Sequence, residues 1–129
     1  MRILLDTNIL IWSLTDPGRL AKTAGPALVN PENEVFFSAV SIWEIAIKFG
    51  LQRADFTVEP RAIADQATTN GFIGLPMTIG TAASVATLAM HHRDPFDRLL
   101  IAQALAGPMQ FYTADTALAV YSDLVHIVR

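Results

Sequence analysis

Asp6 ends an apolar run, Ile3-Leu4-Leu5, and is followed at once by Thr7-Asn8 and a helical pattern. A strand that ends in a carboxylate and turns directly into a helix sets that carboxylate on the edge of a sheet. In open α/β sheets this edge is where ligands bind. Three more acids, Glu44, Asp97 and Asp115, recur at positions that could return to it. The chain has no cysteine and only three histidines, so such a convergence would be a site of oxygen donors. That donor set suits a hard divalent cation such as Mg²⁺, and sites of this kind usually handle phosphate.

Each acid also has a structural reading. Asp6 and Asp115 each follow a predicted strand and precede a helix, where an aspartate side chain can cap the first turn. Asp94 and Asp97 bracket Pro95-Phe96. With proline as the first helical residue, Asp94 is the natural cap and Asp97 falls in the first turn. Asp97 is the better ligand of the two, because it leads into the core-facing run Leu99-Leu100-Ile101-Ala102. Glu44 lies in a helix that is apolar in nearly every direction, and a buried unpaired carboxylate is costly. Ser41-x-x-Glu44 matches a capping box, and Lys48 is placed for an i,i+4 ion pair. Asn8 could hold a water on a bound ion, and Thr113 could hydrogen-bond within the site. If the acids converge, two charges about 4 Å apart repel by roughly 4 kcal/mol at an effective dielectric of 20. A divalent cation converts that repulsion into binding energy. His91-His92 reads as the end of a helix, and His126 as a structural residue of a terminal strand.

The elements that must position these acids follow from pattern. Short apolar strands are expected at 2–5, 35–37, 111–113 and 126–128, with 72–75 a strand or a buried connector. Helices are expected at 7–14, 19–29, 38–49, 60–69, 80–91, 95–106 and 115–121. Gly50, Asn70-Gly71 and Gly107-Pro108 act as stops. Strands that are apolar throughout and alternate with helices predict an α/β fold, a mostly parallel central sheet with helices on both faces. With 129 residues, no repeat and no long linker, a single domain over 1–129 is expected.

Composition narrows the function. The absence of cysteine excludes disulfides, thiolate nucleophiles and zinc–thiolate sites. A net charge of −3 argues against coating nucleic acid by bulk electrostatics, though metal ions and local arginines could serve instead. No apolar stretch reaches the roughly 18 residues of a membrane span, and no signal peptide is evident, which is compatible with a cytoplasmic protein. Mean hydropathy is nonetheless high, at +0.38, so the excess apolar surface is expected to meet another protein. Trp12, Trp43 and Phe49 are read as core or interface.

Four blocks occur in an order that carries a family resemblance: Leu4-Leu5-Asp6-Thr7-Asn8-Ile9-Leu10, Ser38-Ala39-Val40-Ser41-Ile42-Trp43-Glu44-Ile45, His92-Arg93-Asp94-Pro95-Phe96-Asp97-Arg98-Leu99-Leu100-Ile101-Ala102-Gln103-Ala104 and Thr113-Ala114-Asp115. Together they resemble PIN-domain proteins, specifically the VapC-type toxins of toxin–antitoxin pairs. The Asp97 block is the most specific. The resemblance implies a three-layer α/β/α PIN-like domain and a Mg²⁺- or Mn²⁺-dependent endoribonuclease acting on RNA. It also implies inhibition by a VapB-like antitoxin and a homodimer. It gives Asp6, Glu44, Asp97 and Asp115 as the catalytic and metal-binding acids, with Asp94 an additional acid near the site. In that frame Asp6 and Asp97 hold the principal ion, Glu44 and Asp115 complete the site directly or through water, and Arg98 and Arg93 could steer the RNA backbone. Two rivals stand beside this reading. One is a phosphomonoesterase with Asp6 as nucleophile, which would need an acid where Asn8 stands. The other is a non-catalytic protein-binding module of the same fold.

Overall fold

A computed structural model describes residues 1–20, 22–51 and 56–128. Asp55 lies outside the described residues. So does residue 21, inside the helix expected at 19–29.

The strands are β1 (Arg2–Leu5), β2 (Glu34–Ser38), β3 (Ile73–Leu75), β4 (Gln110–Thr113) and β5 (Val125–Ile127). They form one sheet in the order β3-β2-β1-β4-β5, and every pairing is parallel. The α-helices are α1 (Thr7–Thr15), α2 (Gly25–Val29), α3 (Ala39–Gly50), α4 (Pro60–Thr69), α5 (Ile79–Ser84) and α6 (Pro95–Ala106). Successive strand residues point to opposite faces, and this splits the core into two layers. Ile3, Leu5, Val35 and Phe37 pack with Ile9, Leu10, Ile45, Ile63 and Ala67 on one face. Leu4, Phe36 and Phe111 pack with Leu100, Ile101, Ala104 and Leu118 on the other. The result is the expected α/β/α sandwich, with a sheet that is parallel throughout.

The strand order matters for function. From central β1 the sheet extends to β2 on one side and to β4 on the other. The carboxyl end of β1 is therefore a switch point, where the chain leaves the sheet in opposite directions and opens a crevice. Asp6 follows β1 there. Ser38 ends β2 and caps α3, its hydroxyl accepting from Val40 N–H and donating to Gln103 Oε1 at 2.6 Å. Thr113 ends β4 beside them.

The fold departs from expectation in three places. The helix expected at 19–29 is a 3₁₀ turn at Pro17–Leu20 followed by the short α2. Gly25-Pro26 starts that helix, because proline fits a first turn and breaks an interior. The helix expected at 80–91 stops at Ser84 and tightens to 3₁₀ at Val85–Thr87. Here tertiary bonding overrides helix propensity. Arg98 takes the carbonyls of Val85, Leu88 and Ala89, and His92 N–H goes to Tyr121 Oη. The segment expected at 115–121 is 3₁₀ at Thr116–Tyr121. By contrast, α4 and α6 span the residues that Pro60 and Pro95 predict.

Candidate active site

Asp6 is buried and caps α1, one oxygen accepting from Ile9 N–H at 2.8 Å. Its other oxygen accepts from Thr113 Oγ1 at 2.5 Å. The same threonine hydroxyl accepts from Asp115 N–H at 3.1 Å, so one side chain ties the ends of β1 and β4 together. Thr113 thus has the hydrogen-bonding place that the sequence offered it.

Glu44 is only 8% exposed. Thr7 Oγ1 donates to its Oε1 at 2.7 Å and also hydrogen-bonds Ser41 Oγ at 3.0 Å. Lys48 reaches its Oε2 at 3.0 Å. The i,i+4 pair foreseen from spacing is therefore present. The capping box is not, because Ser38 is the cap and Ser41 lies buried inside the helix.

Asp94 caps α6, accepting from Phe96 N–H at 2.9 Å and more weakly from Asp97 N–H at 3.4 Å. Asp97 follows in the first turn. Its Oδ2 lies 2.9 Å from His92 Nε2, and the same nitrogen stands 3.4 Å from Asp115 Oδ2. Asp115 caps the 3₁₀ turn through Ala117 N–H. Asp6, Asp94 and Asp115 thus fill the capping roles foreseen for them, yet they stand around one crevice with Asp97 and Glu44. Asn8 is exposed in the first turn of α1.

The electrostatics report this crowding. Burial is the largest effect on Asp6 and lifts its carboxyl to about 6. The Thr113 and Ile9 hydrogen bonds oppose the rise, and the charges of Asp97 and Glu44 add to it. Asp97 is also lifted to about 6, by burial first and then by Asp94 and Glu44, against the lowering contact with His92. Acids from three separate stretches of chain, at Asp6, Glu44 and Asp94–Asp97, therefore feel one another, and His92 bridges Asp97 to Asp115 of a fourth. A set of carboxylates with one imidazole, strained by its own negative charge, fits a divalent cation.

Arg98 corrects the sequence reading. It is 7% exposed, and its guanidinium is turned inward onto the carbonyls of Val85, Leu88 and Ala89 and the Tyr121 hydroxyl. It does not steer a backbone outside the protein; it organises the loop that carries His92. Arg98→Met should cost about 2–4 kcal/mol, because several buried carbonyls lose their donor at once. Urea unfolding would measure this, and a loss below about 0.5 kcal/mol would contradict it. Arg93 remains exposed.

His92 is the site residue that sequence reasoning undervalued. Its expected place at a helix end depended on a helix that stops eight residues earlier. The usable signal was its position two residues before Asp94, inside the block that carries the Asp97 cluster.

A PIN-domain family model matches residues 3–124. The chain belongs to the PIN domain family. PIN domains are generally nucleases, and typically ones that use a divalent ion. Solved structures share the fold along the whole chain. VapBC2 from Rickettsia felis, bound to a DNA fragment from its promoter, superposes with a TM-score of 0.74 at 14% identity, covering 100% of both chains. FitAcB from Neisseria gonorrhoeae gives 0.60 at 21% identity, covering 97% of this chain and 96% of that one. VapBC-5 from Mycobacterium tuberculosis, a member of the VapBC family of toxin–antitoxin systems, gives 0.58 at 22%, covering 99% and 98%. At these identities the likeness is one of fold. No curated protein matches the sequence. Among the described residues, no helix of this PIN domain is long and apolar enough to cross a membrane.

Proposed function

We propose that this PIN domain, spanning 1–129, is a divalent-metal-dependent endoribonuclease of the VapC type, the toxin of a toxin–antitoxin pair in the cytoplasm. The observation that supports the reading is that Asp6, Glu44 and Asp97 stand close enough to perturb one another, with Asp6 and Asp97 both lifted to about 6, while Asp115 joins them through His92 and Thr113. Asp6 and Asp97 would hold the principal ion, with Glu44 and Asp115 completing the site directly or through water. Held there, Mg²⁺ or Mn²⁺ would supply Lewis-acid activation of the attacking water and positive charge for the phosphate.

The protein's own groups hold this arrangement in place. Thr113 fixes the rotamer of Asp6. Thr7 and Lys48 fix Glu44 from either side, and the cap by Asp94 sets the first turn that carries Asp97. Arg93, exposed beside these acids, offers charge to the RNA backbone. The partner reading has its own support. Trp43, Ile47 and Leu51 lie 56%, 42% and 63% exposed along α3 and just beyond it. Apolar surface of this kind fits a VapB-like antitoxin or a second copy of the chain.

The test is incubation of the purified protein with total RNA in Mg²⁺, Mn²⁺ or EDTA, followed by mapping of cut ends. Discrete cuts in either metal and none in EDTA are expected. Equal cutting in EDTA would refute the reading.

A further inference from the structure

His92 stands in the loop before α6 with its Nε2 at 2.9 Å from Asp97 Oδ2 and 3.4 Å from Asp115 Oδ2. One donor atom from each of the three residues lies within 4.8 Å of the others. In an octahedral shell with metal–ligand bonds of about 2.1 Å, adjacent donors stand about 3 Å apart. Both His92 separations are short enough for donors that share one ion, the 2.9 Å one being also that of a hydrogen bond.

The residue is also anchored in that place. Its N–H donates to Tyr121 Oη at 2.9 Å, and its carbonyl accepts from Arg98 Nη1 at 3.5 Å. The same guanidinium fixes the turns before it through Val85, Leu88 and Ala89. A buried arginine and a tyrosine hydroxyl thus hold the backbone of one half-buried histidine against two carboxylates.

We propose that His92 is itself a metal ligand, its Nε2 forming with Asp97 and Asp115 a mixed nitrogen–oxygen corner that favours Mn²⁺ over Mg²⁺. The inference rests on the metal-dependent reading above and adds the identity of a ligand and the class of ion. Mn²⁺ prefers oxygen donors and is the weakest of the first-row divalent ions for nitrogen, yet as a transition ion it accepts an imidazole more readily than Mg²⁺, which takes oxygen donors and keeps its waters. Ligation through Nε2 leaves the ring proton on Nδ1. A purely structural His92 would instead donate a hydrogen bond to Asp97 and stay outside the shell.

The experiment is pulsed EPR of the full chain loaded with one equivalent of Mn²⁺, read for directly bound nitrogen. The chain has three histidines, so the source can be assigned. Nitrogen coupling is expected in the parent protein, in His91→Asn and in His126→Asn, and is expected to vanish in His92→Asn and His92→Gln. Calorimetry of the two His92 variants should show Mn²⁺ affinity down by about 10-fold or more. Their Mg²⁺ affinity should fall by less than about 3-fold. Bound Mn²⁺ without nitrogen coupling in the parent protein overturns the proposal and leaves the carboxylate site standing. Mn²⁺ binding that is absent, or unaffected by Asp97→Asn, overturns the metal-dependent reading and this proposal with it. The parent spectrum with His91→Asn and His126→Asn as controls decides the question even if a His92 variant fails to fold.

Discussion

Asp97→Asn is expected to slow RNA cleavage in Mg²⁺ by roughly 10²–10³-fold or more and, in EDTA near pH 7.5, to melt at a higher temperature than the parent protein. The two effects share one cause. Asp97 is needed ionised to hold the ion, yet burial and the charges of Asp94 and Glu44 lift its carboxyl to about 6. Above that pH the ion-free fold carries a charge its surroundings disfavour. A lift of about two units corresponds to at most about 3 kcal/mol. Solvent at the half-buried edge reduces this to about 1–2 kcal/mol, or several degrees. Asparagine keeps the shape and can still meet His92. Cleavage rates in Mg²⁺ and melting curves in EDTA check the two halves separately. Cleavage at the parent rate would contradict the assignment of Asp97, and a lower melting temperature would contradict the electrostatic account.

The second large effect is on stability against pH. Asp6 and Asp97 both titrate near 6 in the fold, against an ordinary value of 3.8. Between about pH 4 and pH 6 the folded state therefore binds protons that the unfolded state has released. Stability of the ion-free protein falls as pH rises through that window and levels off above it. The two carboxyls act on one another and titrate as a pair, worth about 3–4 kcal/mol together. Mn²⁺ takes the deprotonated form, so it should restore about 2–3 kcal/mol at pH 7.5 when present at a hundred times its Kd. At pH 5 it should add little. Urea unfolding at both pH values, with EDTA or Mn²⁺, gives four numbers to set against the same four for Asp6→Asn/Asp97→Asn. The parent alone should show the pH loss and the Mn²⁺ rescue. Identical profiles for the two proteins would refute the account.

The prolines and the apolar runs made most of the architecture legible. Pro60 and Pro95 mark helix starts because φ is preset and no N–H is lost there, and α4 and α6 begin on them. Runs such as Ile3-Leu4-Leu5 read as strands buried on both faces, which is how parallel strands sit in a sandwich. The acids were legible as a set through their places beside strand ends and helix starts. Arg98 and His92 were not. Local sequence makes 80–91 a good helix, and only a guanidinium arriving from α6 unwinds it and turns His92 into the crevice. Arg98 itself looks like surface charge beside acids until its carbonyl partners are known. Both misreadings have one source, a long-range bond that no local pattern announces.

In the function proposed here, the carboxylates of four distant stretches meet as a site for a divalent ion. Anomalous scattering from crystals soaked in Mn²⁺ addresses it directly. A manganese peak within bonding distance of Asp97 and at least one of Asp6, Glu44 and Asp115, lost in Asp97→Asn crystals, is the predicted result. Crystals that diffract well, are saturated with Mn²⁺ and show no peak between these side chains would contradict it.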